Sequence, residues 1–549
     1  MGLTGLTVDI PSSTSKRPDE KRPAARWSSF EFKVYYALAC IVIPIMVWIP
    51  VSLSSPSNPN YPFYQMRLSN GWLFGRRIDN SDAQYRSFRN NLPPLLIGAL
   101  AFLLSKFLRV HYATVNPGNN LYLIPFNVGC SLVMILALHG TSALKVLAIV
   151  SANYGIAKMC RGSRAGPALT WMFNAAVLFL NERYGGYRFG DMIPGLEYLD
   201  TIQGAYPRWH VSFNITMLRL VSFSMDHYWA CQPLRSPSSE DTGSAQLSEK
   251  QRQSMAHPEG MYSYMNYIAY VLYPPLYIAG PIMTFNDFIW QHRRPTPIST
   301  QTTIKYLLRF VVSFMTMEFI LHFMYVVAIK DRKAWVGASP AQISMIGFWN
   351  LMIVWLKLLI PWRFFRLWAL MDGIDPPENM VRCMANNYST LGFWRSWHRS
   401  YNLWVIRYIY IPLGGANNVV VNTVLVFSFV ALWHDLTFRL LAWGWLVSLF
   451  IIPELCAVYL LPASKFGQRP WYRHVCALGA VFNIMMMMAA NLVGFVVGVE
   501  GVSFFAKQLF GTVEGVRFLV GVVFCLFVGA QLMFEYREEE MRRGIFRRC

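Results

Sequence analysis

Two histidines, His398 and His434, stand in the stretch TLGFWRSWHRSYNLWVIRYIYIPLGGANNVVVNTVLVFSFVALWHDL, residues 390 to 436. A neutral imidazole can take a proton from an attacking group, or donate a hydrogen bond to an oxygen on which charge develops. Ionisable groups inside apolar segments face the interior of a helical bundle or a water-filled path. The chemistry these residue types point to is proton transfer in a chamber shielded from bulk water. The plainer reading of each histidine, a hydrogen-bonded structural residue on an apolar helix, stands beside the catalytic one.

Read as a helix at about 100° per residue, the first half puts Trp394, Trp397, Tyr401 and Trp404 on one arc. Arg395, His398, Arg399 and Asn402 fall on the adjacent arc. The tryptophans fit an interfacial belt as well as a stacking wall for a ligand. Arg395, Arg399 and Arg407 fit interfacial anchors as well as phosphate ligands, because a guanidinium fork matches phosphate geometry. Pro412, Gly414 and Gly415 then break the pattern, and a second apolar run leads from Val419 to Trp433, His434 and Asp435. A chain that folds back antiparallel about Gly415 brings the two imidazoles to nearly one depth. Asp435 is placed to orient His434 or to face water.

These arms need a membrane around them. The chain of 549 residues is 54% hydrophobic and 14% charged, with many apolar stretches of spanning length. That composition excludes a soluble fold. The runs read as helices, since hydrocarbon offers the backbone no external partner and barrel-type alternation is absent. A net charge of +20 sits mostly at the ends of the apolar runs, which fits membrane orientation, anionic headgroups or a phosphate-bearing substrate better than nucleic acid. The nine cysteines are scattered without metal-like or CxxC spacing, so they read as packing residues and no metal is expected.

The expected fold is all-α: a polytopic membrane bundle of roughly 11–13 helices. Residues 1–30 read as a disordered basic tail with a cytosolic N-terminus, 31–534 as one membrane domain, and 535–549 as a charged C-terminal tail. Within the domain, 233–260 reads as a flexible polar loop. The following run, YSYMNYIAYVLYPPLYIAGPIMTFNDF, is interrupted by Pro274, Pro275, Gly280 and Pro281. Broken helix at membrane depth belongs where it is buried in protein or lines a cavity. Glu318 and His322, one turn apart, read as a structural polar pair ahead of the rival reading, a second active site.

FWRSWHRSYNLWVIRYIYIPLGG followed by FVALWHDL resembles the membrane-bound O-acyltransferase (MBOAT) family. The resemblance is closest to its fungal glycerol uptake protein subgroup, which is related to Hedgehog acyltransferase. It implies a bundle around a central tunnel, with His434 as the catalytic histidine and His398 as its upstream polar partner. It further implies acyl-CoA as co-substrate with no other cofactor, and a lipid or GPI-anchored protein as acceptor. The subgroup implies acyl-chain remodelling of glycosylphosphatidylinositol (GPI) anchors in the endoplasmic reticulum, with the plasma membrane as a second location. On that reading Trp394, Arg395, Trp397, Arg399, Asn402 and Arg407 are the expected substrate-binding residues. The rival readings are a polyol transporter, for which repeated halves are expected and none is visible, and a non-catalytic lipid-binding scaffold. Oligomeric state is not encoded in any pattern of the sequence.

Overall fold

The computed structural model describes residues 24–112, 118–232 and 247–547. It is helical throughout except for one hairpin among the described residues, Leu68–Asn70 paired antiparallel with Arg77–Asp79. Eight helical segments among these residues are long and apolar enough to cross a membrane: Phe30–Leu53, Ala83–Tyr112, Leu121–Met159, Pro340–Met371, Gly415–His434, Phe438–Leu460, Tyr472–Val496 and Val513–Arg542. Leu121–Met159 itself contains two helices, Ile124–His139 and Ala143–Met159, joined through Gly140 at φ 57°.

Three further helices, Ala165–Tyr184, Trp209–Ala230 and Thr300–Phe323, have spanning length but more polar sequence. At about 1.5 Å per residue each extends roughly 30 Å or more, the thickness of bilayer hydrocarbon. Trp209–Ala230 shows why the polarity is tolerated: every residue from Thr216 to His227 is buried in protein. Against the roughly 11–13 spans expected from sequence, eight helical segments among the described residues have both the length and the apolarity of a span.

The proline-interrupted run becomes two short helices, Tyr264–Val271 and Pro274–Tyr277, with Phe285–Arg293 following. Residue 275 is proline, so the Val271 carbonyl lacks the amide hydrogen that a helix would offer it four residues on. Arg219, from the interior of Trp209–Ala230, donates to that carbonyl at 2.8 Å and also to the Leu276 carbonyl. A buried cation is thus held in part by the backbone acceptor that Pro275 left free.

Parts of the expected tails and loop are ordered. Residues 1–23 and 233–246 lie outside the described residues, but 249–254 form a helix. It is pinned by Glu249 to Arg399 at 3.1 Å and by Arg252 to Asp287 at 2.7 Å. At the other end, the last helix runs on to Arg542, with Glu535 and Glu540 buried instead of solvated in a charged tail. Glu535 takes Arg473 at 3.4 Å, Arg542 at 2.5 Å and the Arg26 backbone amide at 3.0 Å. Charge density alone reads as a tail; ionic pairing across the fold made it a packed end. Glu318 accepts from Trp72 and Tyr85, and His322 accepts from the Trp72 amide, so that pair anchors the hairpin tip.

Candidate active site

The first arm of the histidine stretch is not one continuous helix. Thr390–Ser396 and Arg399–Val405 are separate helices, and between them His398 takes φ 44°, ψ 50°. Left-handed backbone is unusual for a residue with a side chain and persists only where its surroundings hold it. The holding bonds are local. The Arg399 amide donates to the Asn379 carbonyl at 2.9 Å, and the Ser400 amide to the Asn379 side chain at 3.2 Å. The Ser400 hydroxyl accepts from Ile282, in the proline-interrupted segment, at 2.8 Å. The Glu454 carboxylate caps the start of Thr390–Ser396, taking the Thr390 amide at 2.8 Å. The arcs expected from a single helix therefore do not form, because the chain turns at His398.

One buried helix aligns both arms. Trp209–Ala230 receives the Trp404 indole N–H at the Leu218 carbonyl, 2.8 Å, and Tyr408 and Arg407 at Asp226, 3.0 and 2.7 Å. On the other arm Asn214 and Trp433 exchange bonds: the indole N–H donates to the Asn214 carbonyl at 2.9 Å, and the Asn214 amide to the Trp433 carbonyl at 3.1 Å. The turn between the arms uses Gly414 at φ 100° and Gly415 at φ 59°, where a side chain would be strained. His434 is the last residue of Val419–His434.

Both histidines line one cavity of about 1130 Å³. Tyr401 stands between them, its ring 5.1 Å from His398 and 6.4 Å from His434, and stacks on Trp433 at 4.5 Å. Trp362 covers the other side of His398 at 4.4 Å. Neither imidazole hydrogen-bonds a protein group among the described residues, so their ring nitrogens are open to a ligand. Asn402 lines the cavity beside them, its amide likewise without a side-chain bond. The rest of the wall is overwhelmingly apolar, with Met485 to Met488, Trp443 and Phe505 among its residues. It also includes Ile45 and Phe510, largely exposed side chains, so the cavity reaches the lipid-facing surface.

Of the expected site residues, His398, His434, Trp394, Trp397 and Asn402 are brought to this cavity, and Arg395, Arg399 and Arg407 are not. Arg399 is spent on Glu249 and Arg407 on Asp226 and the Trp229 ring, while Arg395 points to the surface. His398 and Asn402, from the same expected arc, stay on the chamber, so it is the carboxylate partners that keep Arg399 and Arg407 away from it. Asp435 is exposed and makes no bond to His434. Trp362, Asn379, Asn214 and Lys357 were missed from sequence. They come from distant segments, and of these Lys357, a lone charge in an apolar run, carries a local signal.

Comparison with known proteins agrees with this geometry. The family described as MBOAT, membrane-bound O-acyltransferase family, matches residues 196–499. "Membrane-bound O-acyltransferase GUP1" of Saccharomyces cerevisiae is 47% identical over 99% of this chain and 98% of its own length. "Membrane-bound O-acyltransferase gup1" of Schizosaccharomyces pombe is 40% identical over 95% of this chain and 91% of its own. The mouse "Protein-cysteine N-palmitoyltransferase HHAT" is more distant, 27% identical over 55% of this chain and 62% of its own length. With half the chain matched by the family and full-length relatives this similar, the chain belongs to the membrane-bound O-acyltransferase family.

Proposed function

We propose that the protein transfers a fatty acyl chain from acyl-CoA to a hydroxyl of a membrane lipid, the lyso-lipid of a GPI anchor in the endoplasmic reticulum membrane. The observation that carries the reading is the pair of partner-free imidazoles, His398 and His434, on one apolar cavity of about 1130 Å³ that reaches the lipid-facing surface. A volume of this order accommodates a large, mainly apolar ligand. The choice of GPI anchor and compartment rests on the sequence resemblance.

In this mechanism neutral His434 accepts the acceptor's hydroxyl proton while its oxygen attacks the thioester carbon. His398, with the Asn402 amide nearby, donates to the thioester oxygen as it becomes negative. Collapse breaks the carbon–sulfur bond, leaves an ester, and passes the proton from His434 to the departing CoA thiolate. The stacked walls, Trp362 on His398 and Trp433 on Tyr401, fix ring orientation before substrate arrives. Apolar lining keeps water from competing with the acceptor.

The test is purified protein with labelled palmitoyl-CoA and a panel of lyso-lipids, read as ester product and free CoA. His434→Ala is expected to fold and lose transfer by at least about a hundredfold, the usual worth of a general base. His398→Ala is expected to be strongly impaired. Full transfer by His434→Ala removes the proposed base.

A further inference from the structure

Lys357 is the one permanently charged side chain on the wall of the histidine cavity among the described residues. It belongs to the helix Pro340–Met371, as does Trp362, which stacks on His398. Five residues of helix separate the two, about 7.5 Å along the axis. Lys357, His398 and His434 line the same cavity. Its counter-ion is Asp82, at 2.8 Å, with side chains 19% and 16% exposed. The second Asp82 oxygen accepts the Tyr85 amide at 2.8 Å, which fixes it at the start of Ala83–Tyr112.

An ammonium has three donors. Asp82 uses one, and no other protein acceptor for Lys357 is present among the described residues. Gln84, exposed and with no side-chain hydrogen bond among the described residues, also lines the cavity. Burying an ion pair beside an apolar chamber is costly, and apolar residues would pack there at least as well. A pair on the cavity wall that leaves two ammonium donors without a protein acceptor among the described residues is suited to an anionic group on a ligand.

We propose that Lys357, steadied by Asp82 and joined by Gln84, is the headgroup subsite of the acceptor and binds the phosphate of a lyso-glycerophospholipid. In such a lipid the phosphate lies a few bonds from the free glycerol hydroxyl. Holding it at Lys357 places that hydroxyl near His434 while the chain lies along the apolar wall. This inference rests on the acyltransferase reading and adds to it the residue that recognises the acceptor's phosphate.

The experiment uses full-length protein in nanodiscs with palmitoyl-CoA, and compares lysophosphatidylinositol with monoacylglycerol of the same chain. Lys357→Gln is expected to lower the ratio of kcat/KM for the phosphate-bearing acceptor over the neutral one by about tenfold, through KM. Lys357→Arg is expected to restore most of that ratio. Asp82→Asn, which frees the ammonium from its counter-ion, is expected to lower KM for lysophosphatidylinositol, whereas a purely structural pair would give a rise. An unchanged ratio in Lys357→Gln overturns the subsite. A rise in the acyl-CoA KM in place of the acceptor KM also overturns it, since the phosphate would then be the donor's. His434→Ala separates the two levels: transfer by that variant defeats the enzyme reading, while its silence with an unchanged Lys357 ratio defeats the subsite alone.

Discussion

Trp362 lies flat on the imidazole of His398, ring centroids 4.4 Å apart and planes 26° from parallel. Tyr401 covers a second side at 5.1 Å and 27°. His398 is thereby confined to one orientation although no hydrogen bond to protein holds it. Its backbone is confined as well, by Asn379 and Ser400 around the left-handed turn.

Replacing that wall tests whether ring orientation matters. Trp362→Phe keeps an aromatic face and is expected to retain most transfer. Trp362→Ala is expected to cost about 3–5 kcal/mol of stability, as buried Trp-to-Ala changes do, and to lower kcat more than it changes KM for acyl-CoA. Thermal unfolding and steady-state kinetics on the two variants check this; equal kcat in both would mean His398 does not depend on the stack.

Tyr401 is 5% exposed, and its hydroxyl has no hydrogen-bond partner among the described residues. Leaving a buried hydroxyl unpaired costs free energy, whereas removing it with the ring retained does not. Tyr401→Phe is accordingly expected to match the wild type in stability or exceed it by about 1 kcal/mol. A lowered unfolding temperature in detergent would show that the hydroxyl has a partner after all.

Arg382 and Glu540 form a two-pronged pair at 2.7 and 3.2 Å, with side chains 2% and 9% exposed. It ties the end of the last helix to the segment that leads into Thr390–Ser396. Glu540 also takes Arg547 at 3.1 Å, so it is a second carboxylate placed beside it, more than the lost bond, that costs about 3–5 kcal/mol. Arg382→Glu is expected to lose that stability and impair transfer, and the swap Arg382→Glu with Glu540→Arg to recover part of both. A swap no better than the single change would assign the effect to other contacts.

His257, between the helix 249–254 and the first helix of the proline-interrupted run, is 5% exposed. It donates to the Asn286 carbonyl at 2.8 Å and accepts from Arg293 at 3.2 Å, which requires a neutral ring. Burial pushes its pKa down to about 4 from 6.5, against the opposing hydrogen bond to Asn286. Between those values the unfolded chain binds more protons than the folded one. The stability this group contributes is therefore present near neutral pH and is lost as pH falls from about 6.5 towards 4, by about 3 kcal/mol in full. His257→Gln is expected to flatten the unfolding profile in this window, and an identical slope in both proteins would exclude His257 as a source.

Patterns that repeat along the chain were legible without coordinates. Spanning helices follow from apolar runs, because a bilayer allows no other way to satisfy the backbone. The turn between the histidine arms follows from Gly414 and Gly415, which alone tolerate its backbone angles cheaply. The arginines were not legible. Arg399 and Arg407 look like phosphate ligands beside His398 until Glu249 and Asp226, far away in sequence, prove to hold them.

By itself, the sequence determined a helical membrane bundle and singled out His398 and His434, since composition, periodicity and rare polar residues in apolar runs are local properties. Only the tertiary structure decided which polar groups share a chamber with those rings. That depends on a left-handed turn at His398 and on one buried helix bonding to both arms, and such relations join residues that no spacing along the chain connects.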